Sequence, residues 1–134
     1  MKKKWTIIAS LLMVFTLLFS TATVAYAKTV YYATSGTQSG YCENATRTSV
    51  CRFDNLPSGT MQISYFMETD RTMELRFYKN ASLTGGYDKA TLTNNTSGAQ
   101  TTVTLSSSGT FYVVVCTKNG TATDFYYAYD IYKN

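Results

Sequence analysis

Apolar and polar side chains alternate with a period of two through Thr60–Glu68. Met61, Ile63, Tyr65 and Met67 fall on one side, Gln62, Ser64 and Glu68 on the other, and Phe66 breaks the pattern. Thr72–Lys79 repeats it, with Met73, Leu75 and Phe77 set against Glu74, Arg76 and Tyr78. This period marks a strand with one face in a core. Thr69-Asp70-Arg71 separates the two segments by a connection of hairpin length, so they are expected to pair antiparallel.

Two further segments are apolar on both sides. Thr110–Cys116 is an unbroken run of β-branched and aromatic residues closed by a cysteine. Phe111, Val113 and Val115 share one face, and Tyr112, Val114 and Cys116 the other, as expected of an interior strand covered on most of both sides. Asp124–Tyr132 places Phe125, Tyr127, Tyr129 and Ile131 on one face and Tyr126, Ala128, Asp130 and Tyr132 on the other. Weaker strand patterns cover Thr29–Ala33, Thr48–Phe53, Tyr87–Thr93 and Gln100–Leu105. In Tyr87–Thr93 the only large apolar residues, Tyr87 and Leu92, do not share a face.

Turn chemistry separates these segments. Asp54–Gly59 carries the only proline, Asn94–Gly98 and Ser106–Gly109 combine Asn or Ser with Gly, and Asn119-Gly120 centres another loop. Thr34–Gly40, continued by Cys42–Thr46, reads as a loop. No apolar repeat at helical spacing with caps follows residue 27. The expectation is an all-β fold, an antiparallel jelly-roll-like β-sandwich of about eight strands.

Residues 1–27 stand apart. Lys2, Lys3 and Lys4 precede an uncharged, mostly apolar run from Ile7 to Phe19, and Ala25-Tyr26-Ala27 has the form of a small-residue cleavage site. This is the pattern of a secretory signal peptide cut after Ala27, leaving 28–134 as one sandwich domain secreted to the cell exterior. The lysine-led signal points to a bacterial source. Without those lysines the chain carries nine Lys and Arg against eight Asp and Glu, a net charge of +1 instead of +4. That balance offers nothing to nucleic acid or to a membrane surface as a partner once the signal is removed.

Export places Cys42, Cys51 and Cys116 in an oxidising compartment. A Cys42–Cys51 disulfide, closing the short polar segment between them, is the first expectation. A bond from Cys116 to either is the rival, and an unpaired Cys116 reads as a small buried hydrophobe.

The chain contains no histidine, which excludes Ser-His-Asp and Cys-His catalysis and a histidine-held zinc. Glu68, Asp70 and Glu74 are candidates for paired carboxylates or a weak calcium site, but they read better as a solvated turn and the outer side of a strand. No catalytic residue, metal or cofactor is expected. The Asn-x-Ser/Thr sequons at Asn44, Asn80, Asn94, Asn95 and Asn119 read as loops rich in hydrogen-bonding side chains.

Several stretches carry a resemblance to a known family. Leu56-Pro57-Ser58-Gly59 precedes an alternating strand, Met73–Tyr78 follows an acidic turn, and Ser108-Gly109-Thr110-Phe111-Tyr112-Val113-Val114-Val115 precedes a closing aromatic strand. Over about Val50 to Tyr132 this order resembles the bacterial pre-peptidase C-terminal (PPC) domain, a small jelly-roll-like β-sandwich often appended to secreted peptidases. Here no peptidase domain precedes it, and the acidic cluster that some relatives use for calcium is missing. The resemblance therefore implies a fold and a loose binding role, with no site residues.

Tyrosine supplies the remaining signal, with twelve in the chain. Tyr78, Tyr112, Tyr126 and Tyr132 are expected on outward strand faces, where rings form a stacking and hydrogen-bonding platform. The function expected is a non-catalytic binding module that recognises an extracellular polysaccharide or protein through an aromatic sheet face. The alternative is a small secreted effector, a protease inhibitor or antimicrobial toxin, with the Cys42–Cys51 segment as a protruding loop.

Overall fold

The computed structural model describes residues 28–134; the signal segment expected at 1–27 lies outside the described residues. The described residues contain no helix. They form nine strands: β1 Thr29–Tyr31, β2 Ser39–Ala45, β3 Cys51–Leu56, β4 Gly59–Glu68, β5 Met73–Tyr78, β6 Tyr87–Leu92, β7 Asn95–Leu105, β8 Gly109–Thr117 and β9 Thr123–Lys133. All pairings are antiparallel, and they build two sheets. Sheet A runs β1-β9-β4-β7, with β2 also on β9; sheet B runs β3-β8-β5-β6.

The fold is an antiparallel β-sandwich, as the alternation demands, with one strand more than expected. The extra strand is β2. Its segment has a polar, glycine-containing composition that reads as loop, yet Ser39–Cys42 pairs with Phe125–Ala128 of β9. Tertiary pairing overrides weak local propensity here.

β4 and β5 are not a hairpin. β4 pairs with β7 and β9 in sheet A, while β5 pairs with β6 and β8 in sheet B. The connection at 69–72 steps from one sheet to the other. Alternation identifies the buried face of a strand but does not choose its neighbour, and both inner sets enter the same core from opposite sides. β7 is also longer than the pattern implied, because Asn95–Gly98 joins it through a register shift opposite Tyr65/Met67, with Gly98 at φ 98°.

The core lies between the sheets. Sheet B contributes Phe53, Leu75, Phe77, Phe111, Val113 and Val115; sheet A contributes Met61, Ile63, Met67, Phe125, Tyr129 and Ile131, all at most 3% exposed. β8 and β9 occupy interior positions in their sheets and split their faces as the sequence implies.

Between β2 and β3 the chain does not protrude. Thr48 N–H donates to Val115 O at 2.9 Å, Thr117 N–H donates to Thr46 O at 2.9 Å, and Val115 N–H donates to the Thr48 hydroxyl at 3.0 Å. The segment thus lies flat along β8, which removes the protruding loop that the inhibitor reading required.

Candidate functional site

Register places one row of side chains across all four strands of sheet B. Arg52 of β3 lies opposite Tyr112 of β8, Tyr112 opposite Tyr78 of β5, and Tyr78 opposite Tyr87 of β6. Phe53, Phe77, Phe111 and Val113, which alternate with these residues, are in the core, so the row stands on the outer face. At the ordinary spacing between strands it spans about 14 Å.

Two of the rings are packed together. Tyr78 and Tyr87 have centroids 5.0 Å apart, tilted by 46°. The Arg76 guanidinium sits 4.6 Å from the centre of the Tyr87 ring. Tyr87 is 41% exposed, Tyr112 is half-buried, and Tyr78 between them is 7% exposed. The hairpin carrying Tyr87 is held by Asn80, whose side-chain oxygen accepts from Ser82 Oγ, Thr84 N and Thr84 Oγ1 and whose amide donates to Thr84 O. This Asn-centred loop fixes the reversal that sets Tyr78 beside Tyr87.

Beside the rings, on the same face of β5, lies a buried anion. Glu74 accepts from Arg76 Nη2 at 2.8 Å and from Lys89 Nζ at 3.0 Å, and its side chain is 2% exposed. Burial works to raise the Glu74 pKa, but hydrogen bonds from Lys89 and Arg76 outweigh it and hold the carboxyl below its usual range. The pair of cations is thereby fixed next to the row. At its other end Arg52 Nε donates to Asp54 at 3.0 Å, and Asp54 also accepts from the Thr110 hydroxyl at 3.1 Å.

Of the four tyrosines expected to line a site, the structure brings together Tyr78 and Tyr112. Tyr126 and Tyr132 lie on the opposite side of the molecule, on the outer face of sheet A. They are 3% and 4% exposed, and Tyr78 at 7% is buried as well, so of the four only Tyr112 is partly open to water as the sequence implied. Tyr41 packs on Tyr126 with centroids 4.3 Å apart, and the Lys28 ammonium sits 4.8 Å from the centre of the Tyr132 ring. Tyr87, the most exposed ring of the sheet B row, was missed because its strand pattern is weak. A signal was present: Tyr78 and Tyr87 flank the loop Lys79–Gly86, which ends in two glycines, as paired residues flank a hairpin.

The acidic candidates separate in the same way. Glu74 belongs to sheet B, while Glu68 and Asp70 line a cleft of about 350 Å³ with Asn94, Asp124 and Tyr126. Asp70 accepts from the Thr123 hydroxyl at 2.7 Å and Asp124 from Asn44 N–H at 2.7 Å, so both carboxylates have local partners. Among the described residues no His, Cys, Asp or Glu cluster is arranged to hold a metal ion.

The expected Cys42–Cys51 disulfide is not formed; Cys42, Cys51 and Cys116 are all free thiols. Cys42 lies on β2 of sheet A and Cys51 on β3 of sheet B, where the Cys51 thiol donates to Thr37 O at 2.9 Å. Burial raises all three thiols above their usual range, Cys116 to about 11. Cys116 is the small buried hydrophobe anticipated, 6% exposed on the outer side of β8.

No protein-family model matches the sequence, and no curated protein does. Among solved structures, the chain is similar to a mutant of CBM29-2, a family 29 carbohydrate-binding module, with a TM-score of 0.47 and 7% sequence identity over 81% of this chain and 92% of that one.

Proposed function

We propose that this protein is a secreted, non-catalytic binding module with a jelly-roll-like sandwich, and that it holds an extracellular polysaccharide across the outer face of sheet B. The observation that carries the reading is the row Tyr112–Tyr78–Tyr87, one tyrosine from each of three adjacent strands at a single register. A ring offers an apolar face to the C–H surface of a sugar and a hydroxyl to its polar edge. Strands hold such rings more rigidly than loops do, which lowers the entropy lost on binding. The Glu74–Arg76–Lys89 group flanks the row on the same face, with Arg76 over the Tyr87 ring, and Tyr87 is 41% exposed.

The test uses the chain starting at Lys28 and affinity electrophoresis through gels containing soluble polysaccharides. Retardation by at least one polymer is expected. Tyr87→Ala should weaken it about five- to tenfold, as removal of a central aromatic anchor does. Tyr87 is 41% exposed and touches Tyr78 and Arg76, so its truncation should lower the melting temperature by only a few degrees and leave the domain folded at the assay temperature. Tyr32→Ala is the control: Tyr32 is 71% exposed, follows β1 of the other sheet, and should have no effect. Retardation that survives Tyr87→Ala would remove the row from the site.

A further inference from the structure

Resting on that reading, we infer that the ligand is an anionic polysaccharide, one whose repeating units carry a carboxylate or sulfate group. The argument is the charge that the strands place around the tyrosine row. Arg52, Arg76 and Lys89 lie on the outer face of sheet B, and Arg47 pairs with Cys116 and shares its face. The carboxylates on the same face are Asp54 and Glu74. Four cations therefore stand against two anions around three rings. One of those anions, Glu74, is buried and unavailable to a ligand.

The cations keep donors to spare. Glu74 takes Nε and Nη2 of Arg76 and one hydrogen of Lys89, whereas a guanidinium has five N–H groups and an ammonium three. Its contacts with Glu74 and its position 4.6 Å from the centre of the Tyr87 ring hold the Arg76 guanidinium beside the row, and a guanidinium suits a planar or forked oxyanion. Lys89 and Arg52 are each about half exposed, with side-chain accessibilities of 50% and 49%. The rings grip the sugar faces and the flanking cations receive the acid groups.

Two matched pairs of polymers test this by affinity electrophoresis or calorimetry on the chain starting at Lys28. They are polygalacturonate with its methyl-esterified form, and dextran sulfate with dextran. Within each pair the sugar skeleton is kept and the charge removed. At least about tenfold preference for one acidic member is expected, along with weakening as salt is raised. The pair that shows the preference identifies carboxylate or sulfate as the group recognised. Arg52→Gln combined with Lys89→Gln should abolish the preference while ring-dependent binding remains; because Lys89→Gln takes a charged partner from buried Glu74, this variant melts lower and is assayed well below its own melting temperature. Equal binding to both members of a pair, insensitive to salt but lost in Tyr87→Ala, would overturn the anionic inference and leave the platform reading standing. An acidic preference that survives the double substitution would also overturn it. Binding to none of the four would count against both.

Discussion

Glu74 sits near the start of β5 on the outer face of sheet B, and its effect depends on pH with a definite sign. Its carboxyl is held below the ordinary value of 4.5 in the folded chain. In the unfolded chain it takes up a proton first. The stability it contributes is therefore complete above about pH 4.5 and is lost as the pH falls through the lower, folded value. Asp54, bonded to Arg52, and Asp70, bonded to Thr123, act in the same direction. Glu74→Gln should flatten the acid limb of stability against pH, measured by urea unfolding between pH 3 and 7, and cost about 1–3 kcal/mol near neutrality as its charged contacts with Arg76 and Lys89 weaken. An unchanged acid limb would show that Glu74 does not set it. Gly36 is a second residue with a single structural task. It adopts φ +87°, and a Cβ there would lie 2.7 Å from Val50 O and 2.9 Å from Cys51 Cα. Gly36→Ala should cost at least about 1–2 kcal/mol from the left-handed backbone alone, seen as a lower melting temperature. A neutral effect would mean that this loop gives way easily.

At the level of strands, the segment between β2 and β3 works as a strap on β8. Thr48 is 5% exposed, and its hydroxyl accepts from Val115 N–H. Thr48→Val keeps the shape and removes the acceptor, leaving a buried amide unsatisfied. The expected loss is about 1–3 kcal/mol, with faster amide exchange at Val115. Protection retained at Val115 would show that the strap is held by backbone bonds alone. This strap also shows how far the sequence could be read. The split faces of β8 and β9 were legible because their residue types, from Phe111 to Val115 and from Phe125 to Ile131, satisfy a pleat buried on both sides. The partners of β4 and β5 were not, since Met61–Met67 and Met73–Phe77 carry the same alternation whether the strands are neighbours or face each other. β2 was hidden because Ser39, Gly40, Glu43 and Asn44 favour a loop, and only the edge of β9 makes them a strand. Of the site, Tyr78 and Tyr112 were found because outward parity can be counted. Their separation from Tyr126 and Tyr132 depends on which sheet each strand joins, and no local pattern contains that.

The whole molecule presents two different exteriors. Sheet B carries rings and surplus positive charge, while Glu68, Asp70 and Asp124 line a cleft at the end of the sandwich where the chain crosses between the sheets. A near-zero net charge conceals this unequal distribution of the charged groups. Export remains the premise of the biology, and mass spectrometry of protein from the medium should find a chain beginning at Lys28; an intact Met1 there would contradict it. The tyrosine row has one more consequence. Its rings come into line only because three strands are aligned to the residue, and a slip of one position in β5 would turn Tyr78 inward and Phe77 outward. If the row holds a polymer as proposed, polymer retention is a gauge of correct strand registry. Misfolded material with the same β content would betray itself by failing to hold the sugar, long before any spectrum of its backbone told the two apart.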